Sequence, residues 1–146
     1  MTKLKKIDHI GVVVNDLEAV KAFFLDFGLE VQGEGDVEGD WVDQVVGFKN
    51  VKSRFVYMRM PEGGATIELI MYYRPLDERE IQQPYSNTPG IRNIAFEVDD
   101  IEAVVARLNE KGYKTFGKIQ QAGDSYKLCY FRGPEGMILM LAEPLK

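Results

Sequence analysis

The stretch Asp8-His9-Ile10-Gly11-Val12-Val13-Val14-Asn15-Asp16-Leu17-Glu18-Ala19-Val20, running on to Gly28, decides the fold because it recurs. Arg92-Asn93-Ile94-Ala95-Phe96-Glu97-Val98-Asp99-Asp100-Ile101-Glu102-Ala103-Val104, running on to Gly112, aligns with it without a gap at an offset of 84. Ile10/Ile94, Val14/Val98, Asp16/Asp100, Glu18/Glu102, Ala19/Ala103, Val20/Val104, Ala22/Ala106 and Gly28/Gly112 are identities. Each copy makes physical sense. Residues 7–14 are short and rich in β-branched side chains, which reads as a strand. Asp16 and Asp100 stand where a helix needs an N-cap acceptor. Leu17, Val20, Phe23, Phe24 and Phe27 recur at helical spacing, as do Ile101, Val104 and Leu108. Such stripes are core faces. Gly28 and Gly112 then supply left-handed helix stops.

Strands follow each helix. Residues 53–60 alternate, Pro61-Glu62-Gly63-Gly64 turns, and residues 65–71 run back. Residues 126–131, Gly133-Pro134-Glu135-Gly136 and residues 137–142 repeat that order. Each half is therefore a βαβββ unit. Between them, Arg74 to Pro89 is polar and broken by Pro75, Pro84 and Pro89, a connector. The expected organisation is one domain over 1–146, with module one about 4–73, the connector about 74–89 and module two about 90–146.

Bulk properties narrow the function. With 18 Lys and Arg against 23 Asp and Glu, the net charge is −5, which argues against a nucleic-acid binder. Cys129 is the single cysteine, so no intrachain disulfide can form, as suits a reducing compartment. The basic start Met1-Thr2-Lys3-Leu4-Lys5-Lys6 is followed at once by Asp8 and His9, not by the apolar run of a signal peptide. No segment approaches the roughly 18 apolar residues of a membrane span. The expectation is a cytoplasmic protein acting on a small molecule, away from membranes.

Several residues invite a chemical role. Glu68 lies between Ile67 and Leu69 on an apolar strand, so its carboxylate faces either solvent or a polar cavity. In a cavity, burial would suit it to moving protons. His9 reads either as a ligand or acid/base group, or as a polar residue on an inward strand face. Gly33-Glu34-Gly35-Asp36-Val37-Glu38-Gly39-Asp40-Trp41 reads as a solvated glycine-rich loop or as a lid that closes Trp41 over a ligand. Tyr126, Tyr130 and Arg132, on or beside a strand of module two, could line a pocket and bind an oxygen-rich or anionic substrate. Alternation puts Tyr126, Leu128 and Tyr130 on one face and Lys127, Cys129 and Phe131 on the other. Arg54 and Arg59 could also reach a ligand. Cys129 is most simply core.

A histidine on the first strand, an Asp-capped helix and a hairpin ending in Ile67-Glu68-Leu69 together resemble the vicinal oxygen chelate superfamily. That group holds glyoxalase I, methylmalonyl-CoA epimerase, extradiol dioxygenases and the bleomycin- and fosfomycin-resistance proteins. The stretch from Asp124 to Gly136 is similar to a glyoxalase-like branch. The resemblance implies an α+β fold in which two paired βαβββ modules form a curved mixed sheet around a central pocket. It also implies a homodimer. By resemblance the metal ligands fall on His9 and Glu68 in module one, and on Asn93 and Met140 in module two, where the family often has a carboxylate at the last position. An amide and a thioether are poor donors for borderline divalent ions. The implied cofactor is thus one weakly held divalent ion (Zn, Ni, Mn, Co or Mg), with no organic cofactor. With one histidine in the chain, a two-His-one-carboxylate iron site cannot form within it, which counts against a dioxygenase.

Two functions follow from the resemblance. The first is a metal-dependent lyase or isomerase that moves a proton on a small carbonyl or thioester substrate. Glu68 would be catalytic, His9 and Glu68 would hold metal, and Trp41, Arg54, Asn93, Tyr126, Tyr130 and Met140 would contact substrate. The second is a non-catalytic binding protein of the bleomycin-resistance type with a degenerate metal site.

Overall fold

The computed structural model describes residues 3–80 and 82–146. Met1 and Thr2, from the basic start, and Ile81, from the connector, lie outside the described residues. The chain divides into two compact units, Met1–Arg79 and Glu80–Lys146.

Unit one runs β1 (His9–Val13), α1 (Leu17–Phe27), β2 (Glu30–Glu38), α2 (Asp40–Val46), β3 (Lys52–Arg59) and β4 (Thr66–Arg74). Its strands form one sheet in the order β1-β4-β3-β2. β1 is parallel to β4; the other pairs are antiparallel. Asp16 caps α1, its carboxylate accepting from the Ala19 N–H at 3.1 Å. Gly28 ends the helix at φ 120°, a conformation that costs a side-chain-bearing residue dearly. Leu17, Val20 and Phe24 of α1 are buried, as are Val56 and Met58 of β3 and Ile67 and Leu69 of β4.

Unit two repeats the plan: β5 (Asn93–Glu97), α3 (Ile101–Glu110), β6 (Gln120–Ala122), β7 (Tyr126–Arg132) and β8 (Ile138–Pro144). A single 3-10 turn at Pro134–Gly136 joins the last two strands. The order β5-β8-β7-β6 copies that of unit one. Asp100 caps α3 through the Ala103 N–H, again at 3.1 Å. Ile101 and Leu108 of α3, and Phe131, Leu139 and Leu141 of the sheet, are buried.

The fold corrects the expectation in one respect. The βαβββ order holds in both halves, with the short α2 inserted between β2 and β3 of the first, but the strands do not make a single curved sheet around a central pocket. They make two separate four-stranded sheets, each open, with β1 and β2 as the edges of the first and β5 and β6 as the edges of the second. Among the described residues, hydrogen-bonded strand pairing stays within each repeat, the first strand of each lying parallel to its last.

The glycine-rich loop expected at 33–41 is also absent. Its residues form most of β2 and the first turn of α2. The strand survives its glycines because charged cross-strand pairs hold it to β3: Asp36 with Arg54 at 3.1 Å, and Glu30 with Arg59 at 3.3 Å. An edge strand that carries charges also resists pairing with other chains.

The matched caps make a direct test. Asp16→Ala and Asp100→Ala should each lower stability by about 1 kcal/mol, while Asp16→Asn and Asp100→Asn should retain most of it. Urea unfolding followed by circular dichroism measures this; an alanine variant as stable as its parent would refute the capping role at that position.

Candidate functional site

The two faces of sheet one differ. Lys21 on α1 reaches across to Glu34 on β2 at 2.9 Å, which marks the helix side. Glu34 stands opposite Val56, and Val56 opposite Leu69, so the buried residues share that side. Alternation sends Phe55, Tyr57, Glu68 and Ile70 to the other face. Opposite Tyr57 and Phe55 on β2 stand Gly33 and Gly35. They lack side chains, so this face is left partly uncovered. His9, Gly11 and Val13 of β1 lie on the same side, with Gly11 beside Glu68.

On this open face the ionisable groups converge. Nδ1 of His9 lies 2.8 Å from Oδ2 of Asp8, and Nε2 lies 3.3 Å from Oε1 of Glu68. The Glu68 side chain is 18% exposed and that of His9 34%, so the pair is only partly screened by water. Tyr57 packs its ring edge-on to His9 at 5.3 Å, and Phe55 packs on Tyr57 at 5.4 Å. The Tyr57 hydroxyl donates to Glu68, and burial, followed by the Glu68 charge and hydrogen bond, pushes the phenol above its ordinary value. The hydrogen bond from His9 holds the Asp8 carboxyl below its ordinary value. Beside the group lies an open groove of about 810 Å³, lined by Lys6, Asp8, Gln32, Gly33, Tyr57 and Thr66 among others. Gln32 is the extra residue of a β-bulge, since Val31 pairs with Met58 and Gly33 with Tyr57. Bulges often re-aim a side chain beside a site.

The remaining candidate residues are dispersed. Arg54 is on the helix side of sheet one, opposite the face that carries His9 and Glu68. Its guanidinium is held by Asp36 at 3.1 Å and Glu34 at 3.3 Å. Trp41 stands on α2 and is 61% exposed. Arg59 pairs with Glu30.

In unit two, Lys127 reaches Glu102 of α3 at 3.1 Å, which identifies the helix side of that sheet. Tyr126 and Tyr130 therefore lie on its open face. Met140 joins them there, paired with Tyr130 and with Ala95, as does Asn93 by alternation along β5. Arg132 donates to the carbonyls of Gly136 and Pro84 and stacks over Phe116, which occupies it structurally. Cys129 is buried in the core, where desolvation raises its thiol.

Tyr57 is the site residue that the sequence reading passed over. A signal was present: counting outward from the Pro61–Gly64 turn sets residue 57 opposite residue 68, the register the hairpin adopts.

A different acidic group lies in unit two. Asp100, Glu102 and Glu143 bring carboxylate oxygens within 4.8 Å of one another, a spacing able to hold a metal ion weakly. All three already have work at the start of α3. Asp100 accepts from Ala103, Glu143 accepts from the Ile101 N–H at 2.8 Å, and Glu102 pairs with Lys127. Carboxylates are stabilised at a helix N-terminus without any cation.

Comparison with known proteins agrees with this architecture. Residues 8–130 match the model of the Glyoxalase/Bleomycin resistance protein/Dioxygenase superfamily. A glyoxalase family protein of Bacillus cereus is 34% identical, with a TM-score of 0.93 over 99% of this chain and 97% of that one. A glyoxalase family protein of Enterococcus faecalis is 26% identical, with a TM-score of 0.66 over 95% of this chain and 98% of that one. The uncharacterised protein YaeR of Escherichia coli is 28% identical, over 98% of this chain and 99% of its own length.

The Tyr57–Glu68 contact has a measurable consequence. Tyr57 should ionise above the ordinary phenol value of 10.0. Replacing Glu68 with Gln should bring that ionisation down only part of the way, because burial is the larger cause. A pH titration of the labelled Tyr57 ring by NMR tests this; an unchanged midpoint in Glu68→Gln would contradict the contact.

Proposed function

We propose, for a chain that belongs to the glyoxalase/bleomycin resistance protein/dioxygenase superfamily, that the open face of sheet one carries a metal-assisted proton-transfer site of the lyase or isomerase type. Its substrate is a small carbonyl compound or thioester. The supporting observation is the convergence of His9 Nε2 and Glu68 Oε1 at 3.3 Å on a half-exposed face. Imidazole nitrogen and carboxylate oxygen are the donors that borderline divalent ions take. Two donors each about 2.1 Å from one ion stand roughly 3.0–3.4 Å apart, so the observed spacing fits. A bound divalent ion would polarise the substrate's carbonyl oxygen.

The chain's own residues supply the rest. A carboxylate has two oxygens, so Glu68 can turn one toward His9 and use the other to take up or deliver a proton. Tyr57 orients that carboxylate through its hydroxyl. Phe55 and Tyr57 give the substrate an aromatic wall, and Gly33 and Gly35 leave room beside it. Two donors of the right type, His9 Nε2 and Glu68 Oε1, face each other here, which makes for a weakly held ion. A cytoplasmic homodimer belongs to the same reading, for which sheet one offers the edge strand β1, its other edge β2 being blunted by charge.

One observation favours a second reading. At the unit-two positions matching the family's ligands stand Asn93 and Met140, an amide and a thioether. A protein that had ceased to hold metal would bind a small ligand without turning it over.

Metal analysis and calorimetry on the purified protein separate the two. The catalytic reading expects about one divalent ion per chain and metal-dependent turnover of a hemithioacetal or a 2-methyl-branched thioester. His9→Ala should abolish stoichiometric metal, and Glu68→Gln should lower turnover about 10²–10⁴-fold. Neither metal nor metal-dependent turnover in the parent protein would sink this reading in favour of the second.

A further inference from the structure

We propose that Asp8 is a positioning residue, one that fixes the His9 imidazole in the tautomer whose Nε2 lone pair faces Glu68. The inference rests on the reading of His9 and Glu68 as a metal-holding pair, and it adds a residue to which neither the family resemblance nor the sequence pattern gave a role.

A neutral imidazole carries one N–H, and the other ring nitrogen has a lone pair. Two carboxylates compete for that N–H. Asp8 Oδ2 lies 2.8 Å from Nδ1, whereas Glu68 Oε1 lies 3.3 Å from Nε2. The shorter contact is the stronger charge-assisted hydrogen bond, so the proton resides on Nδ1. Nε2 then points its lone pair at a carboxylate oxygen. In the neutral ring, two such acceptors at this separation repel each other, a repulsion that a bound cation or a second ring proton relieves. Histidines that bind metal commonly give their second N–H to a carboxylate, which sets both tautomer and ring orientation.

The location of Asp8 is itself set by the sheet. Its carbonyl accepts from the Thr66 N–H at 3.4 Å and from Thr66 Oγ1 at 3.0 Å. Thr66 opens β4, two residues before Glu68. One strand therefore ties down the backbone of Asp8 and carries the carboxylate that His9 faces. Each donor of the pair thus has its own orienting hydrogen bond, Asp8 for His9 and Tyr57 for Glu68.

The duplication gives an independent line. At the offset of 84, the counterpart of His9 is Asn93 and the counterpart of Asp8 is Arg92. Where the imidazole is missing, the carboxylate beside it is missing too.

Because His9 is the only histidine in the chain, its ring nitrogens can be read without assignment. The test is a ¹⁵N–¹H long-range correlation spectrum of metal-free protein at about pH 9, well above the ordinary imidazole range. The parent should show the Nδ1–H tautomer. Asp8→Ala should show a mixture of tautomers, and Asp8→Asn, whose amide oxygen still accepts, should keep the parent form. Zinc titrated into the same metal-free samples should bind about tenfold more weakly to Asp8→Ala, with Asp8→Asn near the parent. That lies at the low end of the 10–100-fold cost of losing such a partner, because the Asp8 side chain is 75% exposed and water can replace it. The same tautomer in the parent and in Asp8→Ala, or an Nε2–H parent, overturns the proposal. An Asp8-dependent Nδ1–H tautomer in a protein that takes up no zinc upholds the role of Asp8 and overturns the metal-holding reading instead.

Discussion

A four-stranded sheet has two faces, and in each unit one long helix packs on it. The apolar stripe of α1 buries Leu17, Val20 and Phe24, and the strand residues that share this core are Val56, Met58, Ile67 and Leu69. Burial of apolar surface contributes roughly 25 cal/mol per Å², so this side supplies most of the cohesion of the unit. On the other side Phe55, Tyr57 and Ile70 are only half-buried, among the described residues of unit one. Polar groups can therefore stand there without the full cost of desolvation. This division of labour places His9, Tyr57 and Glu68 on one surface and Arg54 on the other. It also explains why the arginine, a reasonable ligand-binding residue by type, is tied into the ion pairs beneath α1.

The open surfaces of the two units have taken different chemistry on the same scaffold. In unit one, imidazole, phenol and two carboxylates gather on one face, with His9 between Asp8 and Glu68. In unit two, Asn93, Tyr130 and Met140 share the equivalent face, and its carboxylates gather instead at the start of α3. There they cap and pair, as acids at a helix N-terminus do. Three clustered carboxylates with established partners make a poorer case for a cation than an imidazole nitrogen and a carboxylate oxygen that face each other at 3.3 Å.

Much of this was legible in the chain. The paired caps Asp16 and Asp100, the apolar stripes and the glycine stops announced both helices because those signals act within one or two turns. The hairpins around Pro61–Gly64 and Gly133–Gly136 were equally local. β2 was hidden because Gly33, Gly35 and four acidic side chains suggest a loop, while the Arg54, Arg59 and Lys21 partners that stabilise it come from distant positions. Likewise His9 and Glu68 could be named from the sequence. Asp8 gained meaning only through the distances, whereas Tyr57 could have been reached by counting outward from the Pro61–Gly64 turn. The separation of the strands into two open sheets was not legible either, since a repeated βαβββ pattern does not say which edges pair.

The bulge at Gln32 has a consequence for how this chain can vary. It absorbs one residue between Val31 and Gly33, and so sets the phase in which the rest of β2 alternates. In the observed phase the acids Glu34 and Asp36 point to the helix side and the glycines to the open side. A strand that ran straight through Gln32 would pair one position out of step, and every later side chain would change faces. Glu34 would then oppose Phe55, building an anionic wall along the surface that now holds His9, while glycines would lie under α1. A single unit of chain length thus governs whether this edge of the sheet repels or admits a negatively charged compound, and it does so without altering one residue of the imidazole–carboxylate pair.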